Sequence, residues 1–169
     1  MIILKNSYVV TIKKLRDWEE PRAIALDHSN KILLVSVIFG ETKALMKMDI
    51  DGQLLGFVKA RPEGINTPSQ FGTIKDMLTV TSNRYLMTDW NNEKLYLLQL
   101  AKNNMYGTVK TVATAVKKPY GLVLSDRKDK LYVGGRGCIE VLDVSGMFKK
   151  TFLRFTGLLL LLLLFLYML

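Results

Sequence analysis

The side chains that most often do chemistry are scarce in this sequence. His28 is the only histidine and Cys138 the only cysteine. A structural zinc centre needs four protein ligands, and a nucleophile needs a base beside it. His28 lies in "LDHSN" and reads as a structural turn residue. Cys138 opens an apolar run just after glycines and reads as a small buried side chain rather than a nucleophile. "DIDG" at 49–52 begins like a calcium loop, but the following "QLLGFV" lacks the later carboxylates, so it reads as a hairpin turn. "VGGRG" at 133–137 lacks the helix and spacing of a phosphate loop. No Ser/His/Asp set, carboxylate pair or cofactor motif stands out. The expectation is a chain that is not an enzyme and holds no cofactor and no metal.

Recognition chemistry is better supplied. The 169 residues carry 24 Lys and Arg against 15 Asp and Glu, a net charge of +9. Such an excess favours acidic partners: nucleic acid, anionic lipid or an acidic protein face. Basic residues cluster in the polar stretches between apolar runs, at Lys13, Lys14, Arg16, Lys43 and Arg61, and again at Lys94, Lys117, Lys118 and Arg136. Trp18, Phe39 and Trp90 lie among them. Cations interleaved with aromatic rings suit protein hot spots, and they also suit single-stranded RNA, whose bases stack and whose phosphates meet ammonium groups. Trp18 and Trp90 have a second use as plugs between packed sheets.

What must position these residues is a repeat. "PRAIALDHSNKILLVS" from Pro21, "IKDMLTVTSNRYLMTD" from Ile74 and "PYGLVLSDRKDKLYVG" from Pro119 start 53 and 45 residues apart. They share an apolar residue at Ile24, Met77 and Leu122, then a polar knot, then a second apolar run. Each leads to an alternating stretch, "ALMKMDI", "KLYLLQL" or "CIEVLDV", then to a turn and a fourth short run, "QLLGFV", "GTVKTV" or "MFKKTF". Gly52 and Gly146 are placed to supply the positive φ of a tight hairpin. No stretch keeps helical spacing behind a cap. The expected unit is therefore a four-stranded antiparallel sheet, with its first two strands dry on both faces. Repeated at this period, such sheets build a β-propeller.

On these residues the chain resembles the NHL and YWTD-type six-bladed propellers. "LMTDWNNEKLYLL" combines Asp89 and Trp90 of a YWTD-like pattern with the Asn92 and Lys94 of an NHL-like one. "PYGLVL…LYVGGRGCIEVLDVSG" is similar to the NHL plan, and "PRAIALD" fits either. The resemblance implies a recognition propeller of the kind that tripartite-motif ubiquitin ligases carry, with RNA binding at the rim or a membrane-attached YWTD receptor-type fragment as alternatives. In such a propeller the loops between strands two and three, and those between blades, share one rim, and the basic and aromatic residues above fall in them.

The expected fold class is all-β, a partial propeller of three blades at 21–59, 74–112 and 119–153, preceded by a strand at 8–13. Six blades of about 45 residues would need about 270. The partial arc is expected to be a truncated product, with a homodimer completing the ring as an alternative. Residues 155–169 form an apolar tail, expected to be helical. Its last twelve residues read "LLLLLLLFLYML". About 15 apolar residues fall short of the ~20 that span a bilayer, so an aberrant end is the expectation and a membrane anchor the alternative. A lone cysteine and an N-terminus unlike a signal peptide point to a cytoplasmic protein, membrane-associated if the tail anchors it.

Overall fold

The computed structural model describes residues 2–5, 8–12, 19–62, 71–101, 105–114 and 116–147. Every element among them is a β-strand. Strands β1 (Ile2–Lys5) and β2 (Tyr8–Ile12) form an antiparallel pair. The first large sheet follows in chain order: β3 (Glu19–Asp27), β4 (Ile32–Phe39), β5 (Thr42–Asp49) and β6 (Leu54–Phe57). Next come β7 (Lys59–Pro62), β8 (Ile74–Thr81), β9 (Arg84–Asp89), β10 (Lys94–Leu100) and β11 (Tyr106–Thr114). They make a second sheet in the order β7-β11-β10-β9-β8. A third sheet runs β12 (Gly121–Leu124), β13 (Lys130–Gly135) and β14 (Cys138–Asp143).

The meanders form because short alternating runs are cut by residues that reverse the chain. Lys31, Asn83 and Lys128, each in the turn between the first two strands of a sheet, have φ of 54°, 60° and 56°. That left-handed conformation is uncommon outside glycine, and its recurrence at three equivalent turns marks the repeat in the backbone itself. Gly52 has the expected positive φ of 81°, whereas in the third sheet the left-handed glycine is Gly137 (φ 78°), in the β13–β14 turn, and not Gly146. Gly146 follows Ser145, whose N–H donates to Asp143 Oδ1 at 2.9 Å, and that side chain closes the turn instead.

The core lies between the sheets. Ala25, Leu34 and Leu45 of the first sheet pack with Met77, Tyr85, Met87 and Leu98 of the second. On the second sheet's other side, Leu86, Leu95 and Leu97 pack with Leu122, Leu131 and Val133 of the third. Side chains from two facing sheets thus fill a seam, then a second seam. β4 is buried on both faces from Ile32 to Val37, as the sequence pattern requires. β9 is likewise buried from Tyr85 to Asp89, whereas β3 and β13 differ. Ile24 on β3 is exposed, and β13 alternates, with Leu131 and Val133 buried but Tyr132 exposed. The strands β3, β8 and β12 are sheet edges, and the third sheet is covered on one face only among the described residues.

Two further departures concern connections. Lys59 was expected to end the first blade and "ARP" to begin a loop, but together they form β7, which lies parallel to β11 with Lys59 opposite Tyr106. The chain leaves the first sheet, and the free edge of β11 takes it up through backbone hydrogen bonds, as unpaired edges do. Lys59 N donates to Met105 O at 2.7 Å to start the pairing. The segment "MFKKTF", expected as the third sheet's outer strand, falls almost wholly outside the described residues, as does the apolar tail at 155–169. Among the described residues no helix is long and apolar enough to cross a membrane.

Side chains tie the ends of the sheets together. Asp27 at the end of β3 accepts from Asn30 N and Nδ2 at 3.1 and 2.8 Å. It also accepts from Asn83 N of the next sheet's turn at 2.8 Å. Asp76 on β8 accepts from Leu122 N of the third sheet at 2.7 Å. Burial pushes the Asp27 carboxyl up, but donors on Asn83, Asn30 and Ser29 outweigh this and hold it below the usual carboxylate range. Its folded value thus lies below its unfolded value. The stability it contributes is present above the ordinary carboxylate range and is lost as pH falls through the folded value. Asp27→Asn should therefore flatten the acid loss of stability, read as the difference between urea midpoints at about pH 7 and about pH 3. An unchanged difference would remove Asp27 from the acid response.

Candidate functional site: an aromatic and basic cluster at the second seam

The turn between β9 and β10 is held rigidly. Asp89 is fully buried and accepts from Gly72 N at 2.6 Å, from Asn92 N at 3.1 Å and from Asn92 Nδ2 at 2.8 Å. Asn91 Oδ1 accepts from Thr73 N at 2.8 Å, and Trp90 N donates to Thr73 O at 2.9 Å. The segment 72–73 and the turn 89–92 are therefore one knot. A Cβ on Gly72 would stand 2.2 Å from Asp89 Oδ1, so only glycine lets the chain pass this close.

The knot aims Trp90 at the seam between the second and third sheets. Its half-buried ring meets Tyr120 edge to face, with centroids 6.3 Å apart. Lys118 Nζ lies 4.3 Å from the centre of the Trp90 ring. Lys75 Nζ lies 5.7 Å from Trp90 and 5.8 Å from Tyr120. Glu93 faces Lys118 at 3.7 Å. Both partners of that ion pair have left-handed backbones, Glu93 with φ 52° and Lys118 with φ 46°. Such strain persists only where surroundings enforce it, and it concentrates at functional sites. Arg136 N donates to Lys117 O at 2.9 Å, which brings those two exposed residues beside the cluster.

The structure thus joins four of the expected rim residues: Trp90, Lys117, Lys118 and Arg136. Lys94 starts β10 one residue beyond Glu93 and is half-buried. Three lie elsewhere. Phe39 ends β4 and packs edge to face on Phe57 at 5.7 Å, away from the seam. Lys43 is exposed on β5 and Arg61 is exposed on β7, strands rather than loops. Lys13, Lys14, Arg16 and Trp18 lie outside the described residues. Sequence reasoning missed Lys75, Glu93 and Tyr120. Tyr120 follows "KKP" directly, a usable signal, but Lys75 reaches Trp90 through the β8–β9 pairing and Tyr120 because β8 runs beside β12.

The remaining chemistry-bearing residues resolve simply. Cys138 is exposed, not buried, because it opens β14 immediately after the β13–β14 turn. His28 is exposed in the β3–β4 turn. Asp49 accepts from Gln53 N at 2.7 Å in the hairpin turn that "DIDG" makes. Among the described residues no group of three or more His, Cys, Asp or Glu could hold a metal ion.

The geometry matches that of solved propeller-type chains. A chain of a nidogen–laminin complex aligns with a TM-score of 0.62 at 12% identity, over 86% of this chain and 54% of that one. Dihydro-heme d1 dehydrogenase NirN aligns at 0.54 and 17% identity, over 73% of this chain and 25% of that one. Hydrazine synthase of Kuenenia stuttgartiensis aligns at 0.54 and 16% identity, over 83% and 37%. No family model matches the sequence, and no curated protein does either. At these identities the likeness shows the fold alone. The chain is an all-β protein, a partial β-propeller of stacked antiparallel sheets. It spans about a quarter to about half the length of these solved chains.

Proposed function

We propose that this chain is a non-catalytic, intracellular recognition module that binds a protein partner at the second seam. One observation carries the reading: Trp90, on the hydrogen-bonded β9–β10 turn, and Tyr120, just before β12, form an aromatic platform flanked by two ammonium groups. Aromatic anchors with restricted rotamers lose little entropy on binding, and cations beside them select acidic partners. That one similar solved chain belongs to a nidogen–laminin complex supports the use of such a fold as a protein-binding surface. The finer reading is a substrate-selecting propeller like those of tripartite-motif ligases.

Single-stranded RNA is a second reading, favoured by the half-exposed Tyr120 ring beside Lys75. The test captures partners from cell extract on the immobilised chain, with and without nuclease, over a salt series. A protein partner should survive nuclease, and Trp90→Ala with Tyr120→Ala should weaken its capture about tenfold or more. Capture that vanishes with nuclease and falls steeply with salt would favour RNA. Capture indifferent to both substitutions would overturn the site.

A further inference from the structure

The cluster at the second seam has more hydrogen-bond donors than acceptors. Lys118 Nζ, over the Trp90 ring, is matched by Glu93 at 3.7 Å. Lys75 Nζ is not matched in this way. It lies 5.7 Å from the Trp90 ring and 5.8 Å from the Tyr120 ring, and no carboxylate pairs with it among the described residues. Its chain neighbour Asp76 is engaged elsewhere, accepting from Met77 N at 2.8 Å and from Leu122 N at 2.7 Å. Lys75 is half-buried, so it has given up part of its hydration without gaining an anion. The Trp90 indole repeats the pattern. Its Nε1 is closed to solvent and has no acceptor among the described residues. Buried donors are nearly always satisfied, so an orphan beside an unmatched ammonium group asks for an explanation.

Both donors need an acceptor, and the charge of the cluster says of what kind. Two ammonium groups against one carboxylate leave a positive charge, and the exposed Lys117 and Arg136 add to it. The missing acceptor is therefore anionic. It must also be slim. A carboxylate on a short stem enters a closed-in space that a phosphodiester, with a sugar on either side, does not. The ammonium groups over the Trp90 ring stand on flexible four-carbon stems and can shift to admit it. We propose that the partner supplies an Asp or Glu side chain whose carboxylate accepts from Lys75 Nζ and Trp90 Nε1. This rests on the second seam being the binding surface, and it makes Lys75 the residue that selects an acidic segment.

Fluorescence anisotropy on the full chain in mild detergent tests this with a labelled oligoglutamate peptide. An oligoglutamine peptide of equal length and an oligouridylate of equal charge run beside it. The glutamate peptide should bind and the glutamine peptide should not. Lys75→Gln should weaken binding about tenfold, and Lys75→Arg should restore most of it. Lys43→Gln, exposed on the first sheet, should change it less than about twofold. Nuclear magnetic resonance reads the indole N–H directly, with the signal assigned by its loss in Trp90→Phe. The peptide should move that signal downfield, as a new hydrogen bond to a carboxylate does, and Lys75→Gln should abolish the movement. A signal that stays put while the peptide binds would overturn the contact, because general surface charge would then explain binding. So would equal losses for Lys75→Gln and Lys43→Gln, or tighter binding of the oligouridylate, which would give the cluster to phosphate. Failure of every probe to bind would overturn it too. The seam itself is judged separately, by whether Trp90→Ala with Tyr120→Ala weakens capture of a partner from extract.

Discussion

Asp89→Ala will cost the arc about 3 kcal/mol of stability, near the upper end for a single substitution. The carboxylate is fully buried and accepts from two backbone N–H groups and one side-chain amide. Alanine leaves Gly72 N without an acceptor in a buried space, and takes the acceptor from the part-buried donors Asn92 N and Nδ2. Each unsatisfied donor costs about 1–3 kcal/mol, and relaxation recovers part of the sum. The loss also unties the segment 72–73 from the turn that carries Trp90, so the aromatic platform should loosen with it. For a chain of this size the melting midpoint should fall by about 6–12 °C. Asp51→Ala, at an exposed turn position, is the control and should stay within about 0.5 kcal/mol. A shift for Asp89→Ala no larger than the control's would mean that the knot does not hold the turn.

Leu98→Ala and Leu131→Ala will each cost about 2–5 kcal/mol, and they will do so in different places. Leu98 is fully buried in the seam between the first and second sheets. Leu131 is fully buried in the seam between the second and third. Truncating either leaves a cavity lined by side chains from two sheets, which cannot both close on it. Stacked repeats couple mainly to their neighbours. Hydrogen exchange should therefore show Leu131→Ala opening β12–β14 while β3–β5 keep their protection. Leu98→Ala should expose both flanking sheets. Uniform loss of protection in both variants would show one cooperative block instead of stacked sheets.

How much of this was legible in the sequence depends on the range of the interaction. The all-β class was legible, because period-two alternation such as "CIEVLDV" at 138–144 is a local signal. The propeller-type stacking followed from the recurrence of such units. The parallel strand β7 was not legible: "KARP" has neither alternation nor β-favouring residues, and its partner β11 lies more than 40 residues away. Lys31 and Lys128 occupy left-handed turn positions that composition assigns to glycine or asparagine, so the turn chemistry was hidden as well. At the site, Trp90 and Lys118 stood out by type. Lys75 and Glu93 did not, because Lys75 meets Trp90 only once β8 pairs with β9, and Glu93 meets Lys118 only once the second and third sheets are side by side.

The account rests on sheets packed face to face in series, and nuclear Overhauser contacts between methyl groups and rings test that most directly. Contacts should link the Tyr85 ring to the methyls of Leu34 and Leu45 across the first seam, and Leu86 to Leu131 and Val133 across the second. Strand-to-strand contacts within each sheet, with neither set of seam contacts present, would contradict it.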